Sequence, residues 1–197
     1  RQEIAEATLE LVGIYGLQGT TVSRIAAAVG LSRGALYRHF KNREAVLGAS
    51  LDLMSERSST WWAQTPDGNA LERLAALAGR HADWSSAHLD DFVHPMFEFI
   101  AAGATENLTS EMSARQVSAF RLFCDLVEEG KREGSIRTDV ETGDVAWSLM
   151  MLSWAEDIAL LMGVEQFVRD GASIRNYRRM LAAFAPPGPA ESGRTRG

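Results

Sequence analysis

The sequence predicts an all-α chain, with a small three-helix unit in front of a larger helical body. Three observations carry this. Apolar residues recur every three or four positions along most of the 197 residues. Glycine and proline gather at short breaks such as TPDGN at 65–69 and PPGP at 186–189. No stretch of any length alternates with the period of a strand, and no internal repeat is present. At this length the chain can bury one large core or two small ones.

The front of the chain explains itself residue by residue. Ile4, Ala5, Thr8, Leu9, Val12 and Tyr15 repeat at three and four, which predicts a first helix over 1–16. Gly16 and Gly19 end it. Its task is to cover the two short helices that follow, which cannot bury enough surface alone. Thr21 is placed to cap the second helix, whose apolar stripe is Val22, Ile25, Ala26 and Val29. Gly30 stands where a left-handed residue closes a helix. Leu31 follows as an apolar plug, and Ser32 caps a third helix. Ala35, Leu36 and Phe40 turn inward there. Arg33, Gly34, Tyr37, Arg38 and His39 are left outside. Small residues, two arginines, a tyrosine and a histidine on one face suit a groove lined with phosphates and base edges. This is the helix-turn-helix pattern.

The body begins inside a helix rather than at a linker. Asn42 caps a fourth helix that runs to about Trp62, with Glu44 well placed in its first turn. The domain division is expected at 47/48: a helix-turn-helix module over 1–47 and a helical body over 48–185. Asn69 and Glu72 spell a capping box for a fifth helix, lined inside by Leu71, Leu74, Ala75, Ala78 and Ala82. A helix over 91–102 is dense in Phe92, Val93, Met96, Phe97, Phe99 and Ile100, with Pro95 near its start. Another spans 106–133 and stops at Gly134. Residues 145–163 are apolar nearly all round. Glu156 and Asp157 interrupt them too early for a membrane span, so a helix buried on two sides is expected. A last helix over 164–184 carries Ile174, Tyr177, Leu181 and Phe184, with Arg175, Arg178 and Arg179 outside. Residues 186–197 have the composition of a disordered tail.

Charge is unevenly placed. The chain carries −6 at neutral pH, yet 18–47 holds Arg24, Arg33, Arg38, Lys41 and Arg43 against Glu44 alone. A local +4 on a body of −10 focuses polyanion binding on one face. Cys124 is the single cysteine, which allows no internal disulfide and suits a reducing, cytoplasmic compartment.

These residues resemble a known family. Gly16, Gly19-Thr20-Thr21-Val22, Ile25-Ala26, Val29-Gly30-Leu31-Ser32, Gly34, Leu36-Tyr37, His39-Phe40 and Arg43-Glu44-Ala45-Val46-Leu47 resemble the DNA-binding domain of the TetR family of bacterial transcription regulators. Beyond residue 47 the likeness is one of layout. The resemblance implies a homodimer, paired through the last two long helices, that binds double-stranded palindromic operator DNA as a repressor and is released by a small molecule. It implies that Thr21 touches a phosphate, that Ser32, Arg33, Gly34 and Ala35 approach base edges, and that Tyr37, His39 and Arg43 hold phosphates, with Arg38 on the same DNA-binding face. Arg43 stands where the family often has lysine, and the charge is kept.

An effector site is expected among Trp61, Trp84, His88, Phe92, Met96, Phe97, Phe120, Phe123, Met150 and Trp154, with Glu156, Asp157 and His88 as polar anchors. Such a lining favours a hydrophobic or aromatic effector. Phe99 and Met151 belong to the same neighbourhood. Rival motifs are weak. Gly30 to Gly34 spells G-x-S-x-G, but a hydrolase elbow needs a strand before its serine. His81, His88 and His94 show no i,i+4 pair and no cysteine support, so no metal is expected, and no cofactor. Asn107-Leu108-Thr109 is a glycosylation sequon only in a secretory setting.

Overall fold

A computed structural model describes residues 1–64, 66–168 and 171–187, and every described element is helical. The elements are α1 (Gln2–Gly19), α2 (Val22–Ala28), α3 (Arg33–His39), α4 (Arg43–Ala63), α5 (Ala70–Ala87), α6 (His94–Ala102), α7 (Thr109–Glu133), α8 (Thr142–Leu161) and α9 (Ala172–Ala182). A π-helical turn, Leu89–Val93, leads into α6, and a short 3₁₀ turn, Glu165–Phe167, follows α8.

The caps read from the sequence are made. The Thr21 hydroxyl accepts the Arg24 N–H at 3.3 Å, Ser32 that of Ala35 at 3.1 Å, and Asn42 that of Ala45 at 2.9 Å. Asn69 and Glu72 exchange both bonds of a capping box. Each satisfies an N–H that the helix cannot satisfy itself.

Packing divides the molecule into three apolar clusters. Ile4, Ile25, Ala26, Leu36, Phe40 and Val46 form the core of the front unit. Leu74, Ala78, Phe123, Val127, Ala146, Leu149, Tyr177 and Leu181 form the core of the body, from α5, α7, α8 and α9. Between them lies a third cluster, in which Leu9, Val12 and Leu17 of α1 meet Leu47, Leu51 and Met54 of α4 and Met96 and Phe99 of α6. The front unit is therefore joined to the body by a hydrophobic core and not by a tether.

Several expected boundaries move. The first helix does not stop at Gly16. It kinks there, at φ 68° and ψ 171°, and continues for one more turn to Gly19. The helix expected over 91–102 begins at His94, because both Phe92 and Val93 donate to the His88 carbonyl and widen the turn before it. The helix expected from 106 begins at Thr109, since Asn107 holds a positive φ of 58°. The single last helix expected over 164–184 is instead the 3₁₀ turn and α9, and Gly171, in the left-handed region at φ 69°, sets the start of α9. Residues 188–197, most of the expected tail, lie outside the described residues. Among the described residues no helix is long and apolar enough to cross a membrane.

Candidate functional site: a nucleic-acid interface and a cavity behind it

α2 and α3 cross around the turn at Gly30, whose φ of 67° supplies the left-handed closure that the sequence asks for. The outer face of α3 carries Arg33, Gly34, Tyr37, Arg38 and His39, all exposed, with exposed Ser32 at its N-cap and exposed Thr21 at the cap of α2. Arg33 and Arg38 pair with no protein group among the described residues, so both guanidinium groups are free to meet an anion. Arg24 is committed elsewhere, over the Tyr15 ring at 4.4 Å.

Two expected contact residues turn away from this face. Ala35 is buried in the front unit, because its position on α3 falls on the side of Leu36. Arg43, half-buried, points back into the protein. Its Nε donates to the Thr20 carbonyl at 3.1 Å, and its terminal nitrogens reach the Leu17 carbonyl and the Glu106 carboxylate. The kink at Gly16 takes the Leu17 N–H out of the helical ladder and leaves it in need of a partner, while the Leu17 carbonyl accepts the Thr20 N–H at 3.3 Å and has room for a second donor. The N–H donates to Glu98 Oε2 at 2.8 Å, and the carbonyl takes Arg43. Thr20 closes the node by donating its hydroxyl to the Gly16 carbonyl at 2.8 Å. Glu98 lies on α6 and Glu106 just beyond it. The segment leading into α2 is thus held by groups from the body.

Behind this node lies a cavity of about 1010 Å³. Trp84, Phe92, Met96, Phe123, Met150, Trp154 and Asp157, named from the sequence, all line it. Trp61, His88, Phe97 and Phe120 do not. Trp61, Phe97 and Phe120 each fall about 100° round their helix from a residue that does, Trp62, Met96 and Ala119. Trp61 stacks against Trp84 and Arg80 instead, and His88 lies flat on Trp84 and bonds its carbonyl at 2.9 Å. The sequence reading left out Trp62, His81 and Ser153. Spacing could have found the first: Met54, Ser58 and Trp62 follow one another by four along α4, and all face the cavity.

At one wall the polar groups converge. His81 Nδ1 lies 2.7 Å from Glu156 Oε2, and its Nε2 lies 3.4 Å from the Ser85 hydroxyl and 3.9 Å from Asp157 Oδ1. The Tyr177 hydroxyl reaches Ser153 at 3.1 Å and Glu156 at 3.4 Å. Burial pushes both carboxyl groups above the ordinary carboxylate range, with His81 pulling the other way.

A free cationic face on the second helix of a helix-turn-helix, fused to a helical body with a cavity, defines a DNA-binding transcription regulator. Residues 4–50 match the family model of the bacterial regulatory proteins of the tetR family. The transcriptional regulator BetI of Klebsiella pneumoniae is 29% identical over 140 residues, 68% of this chain and 69% of that protein. A TetR transcription regulator from Haloarcula marismortui shares the fold with a TM-score of 0.80 at 19% identity, covering 94% of this chain and 97% of that one. The regulator FadR from Bacillus subtilis, solved in complex with stearoyl-CoA, does so with a TM-score of 0.65 at 16% identity, covering 91% and 95%. Together these likenesses support a TetR-family transcription regulator, a non-enzymatic DNA-binding family. Consistent with this, Ser32 caps a helix and follows no strand.

Proposed function

We propose that this regulator is a homodimeric repressor, released from a palindromic operator when an apolar or aromatic effector enters the cavity. The division at 47/48 then separates the DNA reader from the effector-binding and dimerisation domain. Arg33, Ser32 and Gly34 read base edges. Thr21, Tyr37, Arg38 and His39 hold phosphates, which set register but carry no sequence information. Ala35 and Arg43 act from behind, through packing and through the node at Leu17.

The observation that carries this reading is the double use of one segment. Phe92 and Met96 face the cavity, and Glu98, two residues on, holds Leu17. An effector that moves the first two strains the third. It need only bind the displaced arrangement more tightly than the operator-bound one. Dimerisation is supported by an exposed stripe on α8, Trp147, Met151, Ile158 and Met162, at the spacing of one helix face. This stripe, with α9 beside it, would meet its copy about a two-fold axis.

Selection of bound duplexes from a random pool tests the proposal. The expected product is a palindrome with half-sites about one helical turn, or a multiple of it, apart. A pool that stays random, or an asymmetric single site, would contradict it.

A further inference from the structure

We infer that the cavity takes an organic cation: a flat or bulky apolar body bearing one ammonium-type head, seated against Asp157. This deepens the effector reading above and rests on it. Four observations lead there. Asp157 is only 3% exposed and lines the cavity, yet its Oδ1 makes no hydrogen bond. Glu156, immediately behind, is 6% exposed and also keeps one oxygen, Oε1, without a hydrogen bond. Buried carboxylate oxygens are costly to leave unmatched. Among the described residues the two carboxyls share a single imidazole, His81, as their basic partner.

The rest of the lining does not correct this imbalance. The cavity wall includes Asp52, Asp125, Glu129 and Asp157 against Arg73 and Arg115. Both arginines are already engaged, Arg73 with Glu129 at 2.7 Å and Arg115 with Asp52. The wall is therefore short of positive charge, and most so at its dry end. The remaining surface is aromatic, with Trp62, Trp84 and Trp154 among its lining. Indole faces attract cations as well as flat apolar groups. A carboxylate or acyl-phosphate head would meet Asp157 with like charge in a low-dielectric wall, which disfavours it. A neutral body alone would leave Oδ1 unmatched.

The test uses one aromatic body with three heads: 1-naphthylmethylamine as its cation, 1-naphthalenemethanol, and 1-naphthaleneacetate. Each is titrated into the full chain at neutral pH, and quenching of tryptophan fluorescence is read. The ammonium compound is expected to bind at least about tenfold more tightly than the alcohol, and the acetate most weakly. Asp157→Asn should bring the ammonium and alcohol affinities together. Equal or tighter binding of the acetate by the unaltered chain overturns the inference, with no variant needed. So does an Asp157→Asn protein, folded by circular dichroism, that keeps the full ammonium preference. In either case a saturable quench leaves the effector cavity standing. Failure of all three compounds to quench would remove both the inference and the cavity reading beneath it.

Discussion

The carboxylate of Glu98 accepts the backbone N–H of Leu17 at 2.8 Å, across 81 positions of sequence. This bond belongs to a peptide that the kink at Gly16 has removed from α1. It ties the segment leading into α2 to α6, which also carries Met96 of the cavity wall.

The kink itself is the first point to test. At φ 68° and ψ 171° Gly16 occupies a region that is essentially closed to other residues. A Cβ there would also stand 2.9 Å from Glu98 Oε2. Gly16→Ala should destabilise the fold by about 1–3 kcal/mol in urea denaturation. Stability equal to that of the original chain would mean that the kink is not needed.

Arg43 separates two roles. Were it a phosphate ligand, Arg43→Ala would lower the salt dependence of DNA binding by about one counterion. Because its guanidinium serves the Leu17 and Thr20 carbonyls, the variant should lose affinity and thermal stability while keeping the salt slope. Anisotropy titrations at several salt concentrations, paired with thermal melts, decide between the two.

On α3 the expectations differ by residue. Arg33→Ala should relax choice at one base position, at a cost of about 1–3 kcal/mol for the preferred base. Tyr37→Ala should weaken all sequences alike, since a phosphate contact carries no sequence information. Competition titrations against single-base operator variants give both numbers. A uniform loss from Arg33→Ala would count against its place in the groove.

How far these features could be read in advance depends on how local they are. The caps at Thr21, Ser32, Asn42 and Asn69 were legible because each is made with a residue three positions on. The helix-turn-helix was legible for the same reason. The cluster of His81, Glu156 and Tyr177 was not, since it joins α5, α8 and α9 over 75 and 21 positions of sequence. Arg43 shows a third case. Its position suggested the DNA, but the Leu17 and Thr20 carbonyls beside the kink in another helix stood closer at hand.

The buried acids make a pH prediction. Burial lifts Glu156 and Asp157 above their unfolded values. The native state then holds protons that the unfolded chain has released. Their stabilising contribution is complete below the unfolded carboxylate range, about pH 4, and is lost as pH rises toward the raised native values. Glu156→Gln keeps an acceptor for His81 but cannot ionise. Its urea midpoint should therefore fall less with rising pH, above about pH 4, than that of the unaltered chain. Parallel curves would show that Glu156 is not raised.

The proposed dimer rests on α8. Trp147 and Met151 are each 45% exposed, one turn apart. Trp147→Glu together with Met151→Lys should leave a folded monomer by sedimentation velocity, with operator affinity sharply reduced. A dimer that survives both changes would place the interface elsewhere.

The central claim is that the outer face of α3 meets DNA, with the free Arg38 on a phosphate, and a salt titration of Arg38→Ala tests it most directly. DNA flanking the gene for this chain, or the selected palindrome, is titrated at a series of salt concentrations. Affinity should fall steeply with salt for the unaltered chain, and the log–log slope should be shallower by about one for each arginine removed. An affinity indifferent to salt, or an unchanged slope for Arg38→Ala, would contradict the account.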